Sequence, residues 1–124
     1  MLFFFYGTLA DAERRDAVLD GARGRLVGEA WIHGTLYDLG EYPALVLRGS
    51  GRVPGILCDV DGAAARRLDE YEGVHHGLYA RRIANVDRGD ALAEAWIYEY
   101  LGPVDHLSPI ERWQVPRAGS HKGR

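Results

Sequence analysis

Cysteine is nearly missing from this chain of 124 residues: Cys58 stands alone, which rules out an internal disulfide and fits a reducing compartment. Lysine is as scarce, with Lys122 the single one, so almost all positive charge rests on arginine. There is no basic excess: the net charge is −3, and a general nucleic-acid binder needs surplus cations to neutralise phosphates. No apolar run reaches the roughly 18 residues that a membrane-spanning helix needs. No basic stretch precedes the opening Phe run, and Tyr-Gly-Thr follows at once, so the start does not read as a signal peptide. The expectation is a cytoplasmic protein with no membrane and no nucleic-acid partner. Metal-ligand spacing is also missing. His75 and His76 are adjacent, point apart in an extended chain, and have no Cys, Asp or third His placed to join them. Neither metal nor cofactor is expected.

What is present suffices for one core. The length suits a single domain, taken as residues 1–117, with 118–124 as a flexible polar tail, and 47% of the residues are hydrophobic. The chain is organised around its opening. Leu2 to Phe5 is a short uncharged apolar run, the pattern of a strand buried on both faces. Gly7 ends it, and a glycine there lets the backbone bend and approach another group closely. Thr8 adds a hydroxyl. The run therefore reads as a central strand delivering a tight polar loop, whose N–H groups can form a receptor for an anion or a carbonyl oxygen.

Residues 11–20 read as a helix capped by Asp11 and ended by Gly21. Arg23 to Leu39, rich in Val, Ile, Trp and Tyr, reads as one long strand in which Gly28 and Gly34 mark bulges or barrel bends. A turn at 40–43 leads to a short strand over Ala44 to Leu47. A loop at 49–51 leads to a strand over Val53 to Val60, with Ile56, Cys58 and Val60 on one face. Two further strands, Tyr79 to Val86 and Ala93 to Leu101, flank a turn at Arg88-Gly89-Asp90. Beyond Gly102 the pattern weakens. The sum is an α+β chain: a small mixed β-barrel of about six strands flanked by two or more short helices.

The second helix carries the most informative residue. It spans 62–72, with Asp61 as its cap and Gly73 just past its end. At 100° per residue, Ala64, Ala65, Leu68 and Tyr71 share one face, Arg66 and Glu70 the opposite one, and Asp69 the flank. Glu72 falls between Leu68 and Ala65, inside the apolar stripe. A carboxylate aimed at a core is costly unless it is hydrogen-bonded or functional. Burial and the helix C-terminus both disfavour its charged form, which suits a group that must take a proton and return it. The competing structural reading is a frayed helix end with Glu72 in water. Glu70 is excluded as the acid/base because it points away.

The remaining candidates reduce to structural roles. Cys58 alternates with Ile56 and Val60 as a core residue. Thr8 lacks a local base to make it a nucleophile, and Ser50 and Ser108 lie in turns without a nucleophile elbow. Tyr37, Tyr79, Tyr98 and Tyr100 sit at strand spacing as core or wall residues, one or two of which can turn a hydroxyl into a cavity. Of Arg81 and Arg82, only one can share the face of Tyr79.

Three motifs together resemble the γ-glutamylcyclotransferase-like family: Phe5-Tyr6-Gly7-Thr8-Leu9; the stretch from Gly34 through Tyr37 and Pro43 to Ala44; and Leu68-Asp69-Glu70-Tyr71-Glu72-Gly73-Val74, followed by Tyr79-Ala80-Arg81. The likeness covers residues 1–101. It implies a small mixed barrel flanked by helices, and intramolecular aminolysis: the free α-amine of a γ-glutamyl group attacks its own γ-carbonyl, releasing an amine or amino acid and leaving 5-oxoproline. By this resemblance the catalytic glutamate is Glu72, and substrate is held by Tyr6, Gly7, Thr8 and Leu9, with Tyr37 and Tyr79 as pocket residues. It implies a small γ-glutamyl substrate, no cofactor, and leaves the oligomeric state open. The Tyr-Gly-Thr-Leu form resembles the branch acting on γ-glutamylamines. Two other readings of the same residues stay open: a non-catalytic barrel binding a small carboxylate-bearing ligand, and an amide hydrolase using water beside Glu72.

Overall fold

The computed structural model describes residues 1–22 and 24–113; the polar tail expected over 118–124 lies outside the described residues. Its elements, in chain order, are β1 (Leu2–Phe5), a 3-10 turn (Thr8–Ala10), α1 (Ala12–Leu19), β2 (Gly24–His33), β3 (Thr35–Asp38), β4 (Pro43–Val46), β5 (Arg52–Val60), α2 (Gly62–Glu72), a second 3-10 turn (Val74–His76), β6 (Tyr79–Asp87), β7 (Leu92–Tyr100) and β8 (Pro109–Ile110). Five strands close a barrel in the order β1-β5-β2-β6-β7, and β4-β3-β8 form a separate three-stranded sheet. The expected mixed barrel with flanking helices is present. The strands number eight rather than about six among the described residues, because two short ones were not foreseen as a second sheet.

The opening run behaves as its composition demands. β1 pairs antiparallel with β5, and it meets β7 in parallel at Phe3 and Trp96, the contact that makes the barrel mixed. Its side chains serve two cores. Phe3 and Phe5 join Leu68, Ala64 and Ala65 of α2, while Phe4 joins Leu57, Val86, Ala95 and Ile97 inside the barrel. β5 is likewise buried on both sides, with Leu57 and Cys58 both sealed from solvent.

The long strand expected over Arg23 to Leu39 is two strands in two sheets. Gly28 is a bulge, where the register of β2 on β5 slips between Leu26 and Gly28. Gly34 is a break. A Cβ there would stand 2.8 Å from the Val46 carbonyl oxygen, so the chain turns out of the barrel at a point where only glycine fits, and β3 pairs with β4 instead. The helix boundaries follow their caps. Asp11 accepts from the Arg14 N–H, and Asp61 accepts from the Ala64 N–H. Asp20, at φ 46°, caps the end of α1, a conformation Asp tolerates better than most, and Gly21 follows it at φ 88°. Gly73 closes α2 at φ 71°.

Leu36 and Leu45 of the second sheet pack into the barrel core, and side-chain bonds add to that attachment. The Tyr79 hydroxyl donates to the Pro43 carbonyl at 2.6 Å. The Glu99 carboxylate accepts from the Leu47 N–H at 2.7 Å and from Arg82 Nε at 2.6 Å. Among the described residues no helix is long and apolar enough to cross a membrane.

Two glycines test this packing with opposite signs. At Gly55 an added Cβ would lie 2.6 Å from the Phe4 ring and closer still to the Phe5 carbonyl oxygen. Gly55→Ala is expected to destabilise by about 1–3 kcal/mol through overpacking. Gly62, at the exposed start of α2, has only an arginine tip near the same point, at 3.9 Å. Gly62→Ala is expected to stabilise by about 0.4–1 kcal/mol through lost unfolded-state entropy. Urea unfolding of both variants checks the pair.

Candidate active site

The chain leaves β1 at Tyr6 and turns sharply over Gly7. The turn is fixed from both sides. The Tyr6 hydroxyl donates to the Tyr98 carbonyl at 2.5 Å, and the Gly7 carbonyl accepts the Ala10 N–H at 3.0 Å. The Pro43 ring lies against Gly7 so closely that a Cβ would stand 2.6 Å from its Cγ. Thr8 and Leu9 are buried. The Thr8 hydroxyl lies 3.3 Å from that of Tyr71 on α2. Arg15 of α1 backs the loop by donating to the carbonyls of Leu9 and Ala10. Among the described residues, the backbone hydrogen bonds of this loop use the N–H groups of Ala10 and Asp11 and leave those of Gly7, Thr8 and Leu9 without a carbonyl acceptor.

This loop and the end of α2 face one another across a narrow cavity that is partly open to solvent. Its walls are Phe4, Phe5, the Tyr6–Leu9 loop, Tyr42, Pro43, Glu72, Tyr79 and Tyr98. Glu72 is half-buried, and among the described lining residues it is the one carboxylate. The fully solvated alternative for Glu72 is therefore not what the fold adopts. Leu68, Ala64 and Ala65 are buried as the helical wheel requires, and Glu70 is exposed on the far side.

Of the residues singled out in the sequence, Tyr6, Gly7, Thr8, Leu9, Glu72 and Tyr79 meet around this cavity. Tyr37 does not. It sits on β3 between Ala44 and Pro109, in the middle of the second sheet, because the break at Gly34 carries its strand away from the barrel. Its place on the wall is taken by Tyr42 and Pro43, one strand over.

Tyr98 is the wall residue whose importance was not visible in the sequence. Its hydroxyl donates to Asp69 Oδ1 at 2.7 Å. Asp69 is held in turn by Arg81, through Nε at 2.9 Å and the second guanidinium nitrogen at 3.1 Å. Burial, above all, pushes the Tyr98 phenol far above its usual range. The bond to Asp69 and the negative charges of Asp69 and Glu72 act in the same direction, and Arg81 opposes them. Tyr98 is thus a neutral phenol whose proton is committed to Asp69. The sequence signal was there in fragments: Arg81 shares the face of Tyr79, and Asp69 stands one turn before Glu72. Burial likewise pushes the Cys58 thiol up, with Arg15 opposing, and this inert thiol belongs to the core. Among the described residues, no group of His, Cys, Asp and Glu side chains is arranged to hold a metal ion.

Comparison with known proteins agrees with this fold. The family described as "Gamma-glutamyl cyclotransferase, AIG2-like" matches residues 3–115. The gamma-glutamylcyclotransferase family protein YtfP of Escherichia coli K12 is 35% identical over 112 residues, covering 90% of this chain and 92% of that protein. The solution structure of ytfP from Escherichia coli superposes with a TM-score of 0.69 at 34% identity, over 90% of this chain and 93% of that one. An AIG2-like protein from Mus musculus shares the fold at a TM-score of 0.76 and 21% identity, over 91% of this chain and 87% of its own. The chain therefore belongs to the AIG2-like γ-glutamylcyclotransferase family.

Proposed function

We propose that this chain cyclises a γ-glutamyl amide, with Glu72 carrying protons from the α-nitrogen to the leaving nitrogen, and releases an amine or amino acid with 5-oxoproline. The observation that carries the reading is that Glu72, the one carboxylate in the described lining, shares its cavity with a loop whose N–H groups are free of carbonyl acceptors.

The chemistry assigns work to both sides. The α-amine is an ammonium at neutral pH and cannot attack until it loses a proton. Its nitrogen then bonds to the γ-carbon, and the bond from that carbon to the leaving nitrogen breaks. In becoming the ring N–H, the α-nitrogen gives up two protons; in becoming a free ammonium, the leaving nitrogen gains two. A single carboxylate within reach of both nitrogens can take and return them one at a time, so no second acid and no water is consumed. Because attack is intramolecular, the protein chiefly has to fold the substrate into a ring-ready shape. The described lining contains no Lys or Arg. Negative charge on the substrate, its carboxylate or the developing oxyanion, therefore falls to the Gly7–Leu9 amides, because the hydroxyl protons of Tyr6, Tyr79 and Tyr98 are given to other acceptors. Tyr79 contributes indirectly, since its proton is given to Pro43 and fixes the opposite wall. The buried single cysteine suits a cytoplasmic setting for this reaction.

A panel of γ-glutamylamines and γ-glutamyl amino acids, assayed for both 5-oxoproline and free glutamate, separates cyclisation from hydrolysis: 5-oxoproline alone is expected. Glu72→Gln, folded by circular dichroism, is expected to lose about 10²- to 10⁴-fold in kcat. Activity equal to wild type would remove Glu72 from the mechanism. Gly7→Ala forces the loop off Pro43 and is expected to lower kcat/KM about tenfold or more by displacing the amides. Its Tm, measured alongside, shows whether the fold survives.

A further inference from the structure

Glu72 is the last residue of α2, where helices fray. Something must fix its direction, and the residue three positions earlier is anchored unusually well. Asp69 binds two groups at once: the Arg81 guanidinium through both carboxylate oxygens, and the Tyr98 hydroxyl. Arg81 and Tyr98 are direct partners across the β6–β7 ladder, so one cross-strand pair offers a cationic fork and a phenol to one carboxylate. The arginine cannot swing freely, because its guanidinium carbon lies 4.6 Å from the Trp96 ring centre and 5.6 Å from that of Phe3. The cluster is largely shielded, with side-chain exposure of 18% at Asp69 and 25% at Arg81. Tyr98 also lines the cavity with Glu72 and feels its charge.

We propose that Asp69, Arg81 and Tyr98 form a positioning network that aims the end of α2 into the cavity and keeps a second negative charge from acting on Glu72. This rests on the assignment of Glu72 as the proton carrier. On a helix, residues three apart are neighbours. A bare Asp69 carboxylate would repel the ionised Glu72 and favour its protonated form; Arg81 cancels that repulsion. Among the described residues, other ionisable groups near this region include Tyr6 after β1, Tyr42 before β4, Tyr79 on β6 and Tyr71 on α2, with Arg15 on α1 behind the loop. The Asp69–Arg81 ion pair brings one full charge of each sign to the residue three positions before Glu72.

The two halves of the pair therefore have opposite electrostatic effects, which a merely structural role would not produce. Arg81→Met leaves Asp69 uncompensated, so the midpoint of the Glu72 carboxyl titration, followed by ¹³C NMR, is expected to rise. Asp69→Asn leaves Arg81 uncompensated, and the midpoint is expected to fall. Each shift should be about half a pH unit or more. Arg81→Lys keeps the charge and loses the fork, so it should restore the midpoint while kcat stays low. Tyr98→Phe keeps the ring and loses the bond, and kcat should fall about tenfold or more with KM little changed. Equal midpoints in wild type, Arg81→Met and Asp69→Asn, or shifts of one sign, would overturn the inference. If the wild-type protein forms no 5-oxoproline, the proposed activity falls, while the NMR titration still decides this point.

Discussion

The structure depends on a strand that has neither a free edge nor a free face. β1 is hydrogen-bonded to β5 on one side and touches β7 on the other. Its phenylalanines alternate between the barrel interior and the layer beneath α2. Fully burying one such side chain is worth roughly 1.5–3 kcal/mol. The three together make β1 very hard to shift, and a one-residue slip would exchange the two cores. The loop that leaves its end inherits this rigidity. Tyr6, Gly7 and Pro43 hold it from three directions, and the site is built on that fixed point.

Much of this was legible in the sequence, for a physical reason. A charge-free run before a glycine has few places to go in a protein of this size, and Leu2–Phe5 took the central one. α2 was readable to the residue because both its ends carry side-chain or backbone caps, Asp61 and Gly73, that act locally. The same helical periodicity put Glu72 on the inward face. Local signals of this kind need no knowledge of the rest of the fold.

What the sequence hid was long-range. Gly28 and Gly34 look alike inside one β-rich stretch, yet one is a bulge and the other the exit from the barrel. The difference lies in the Val46 carbonyl packed against Gly34, a neighbour twelve residues on. Losing that break is why Tyr37 reads as a pocket residue and stands instead in the second sheet. Asp69, Arg81 and Tyr98 were each noted as flank, face and wall. Only the β6–β7 register, which sets Arg81 opposite Tyr98 beneath α2, turns them into one network.

The cavity lies where the two sheets meet, and its walls come from different elements. One wall is β1, its loop and the end of α2, all anchored in the main cores. The other is Tyr42 and Pro43, at the start of β4. That strand packs Leu45 into the barrel core and is tied to the barrel by the Tyr79–Pro43 bond at one end and the Glu99–Leu47 bond just past the other. Under the proposed reaction the γ-glutamyl group is common to every substrate, so the wall that carries Glu72 and the amides suits its recognition. The leaving group would vary, and the Tyr42–Pro43 wall lies outside the elements that carry Glu72 and the amides. Under the proposed reaction, discrimination among leaving groups would fall to the Tyr42–Pro43 side, and chemistry to the side built on the first strand.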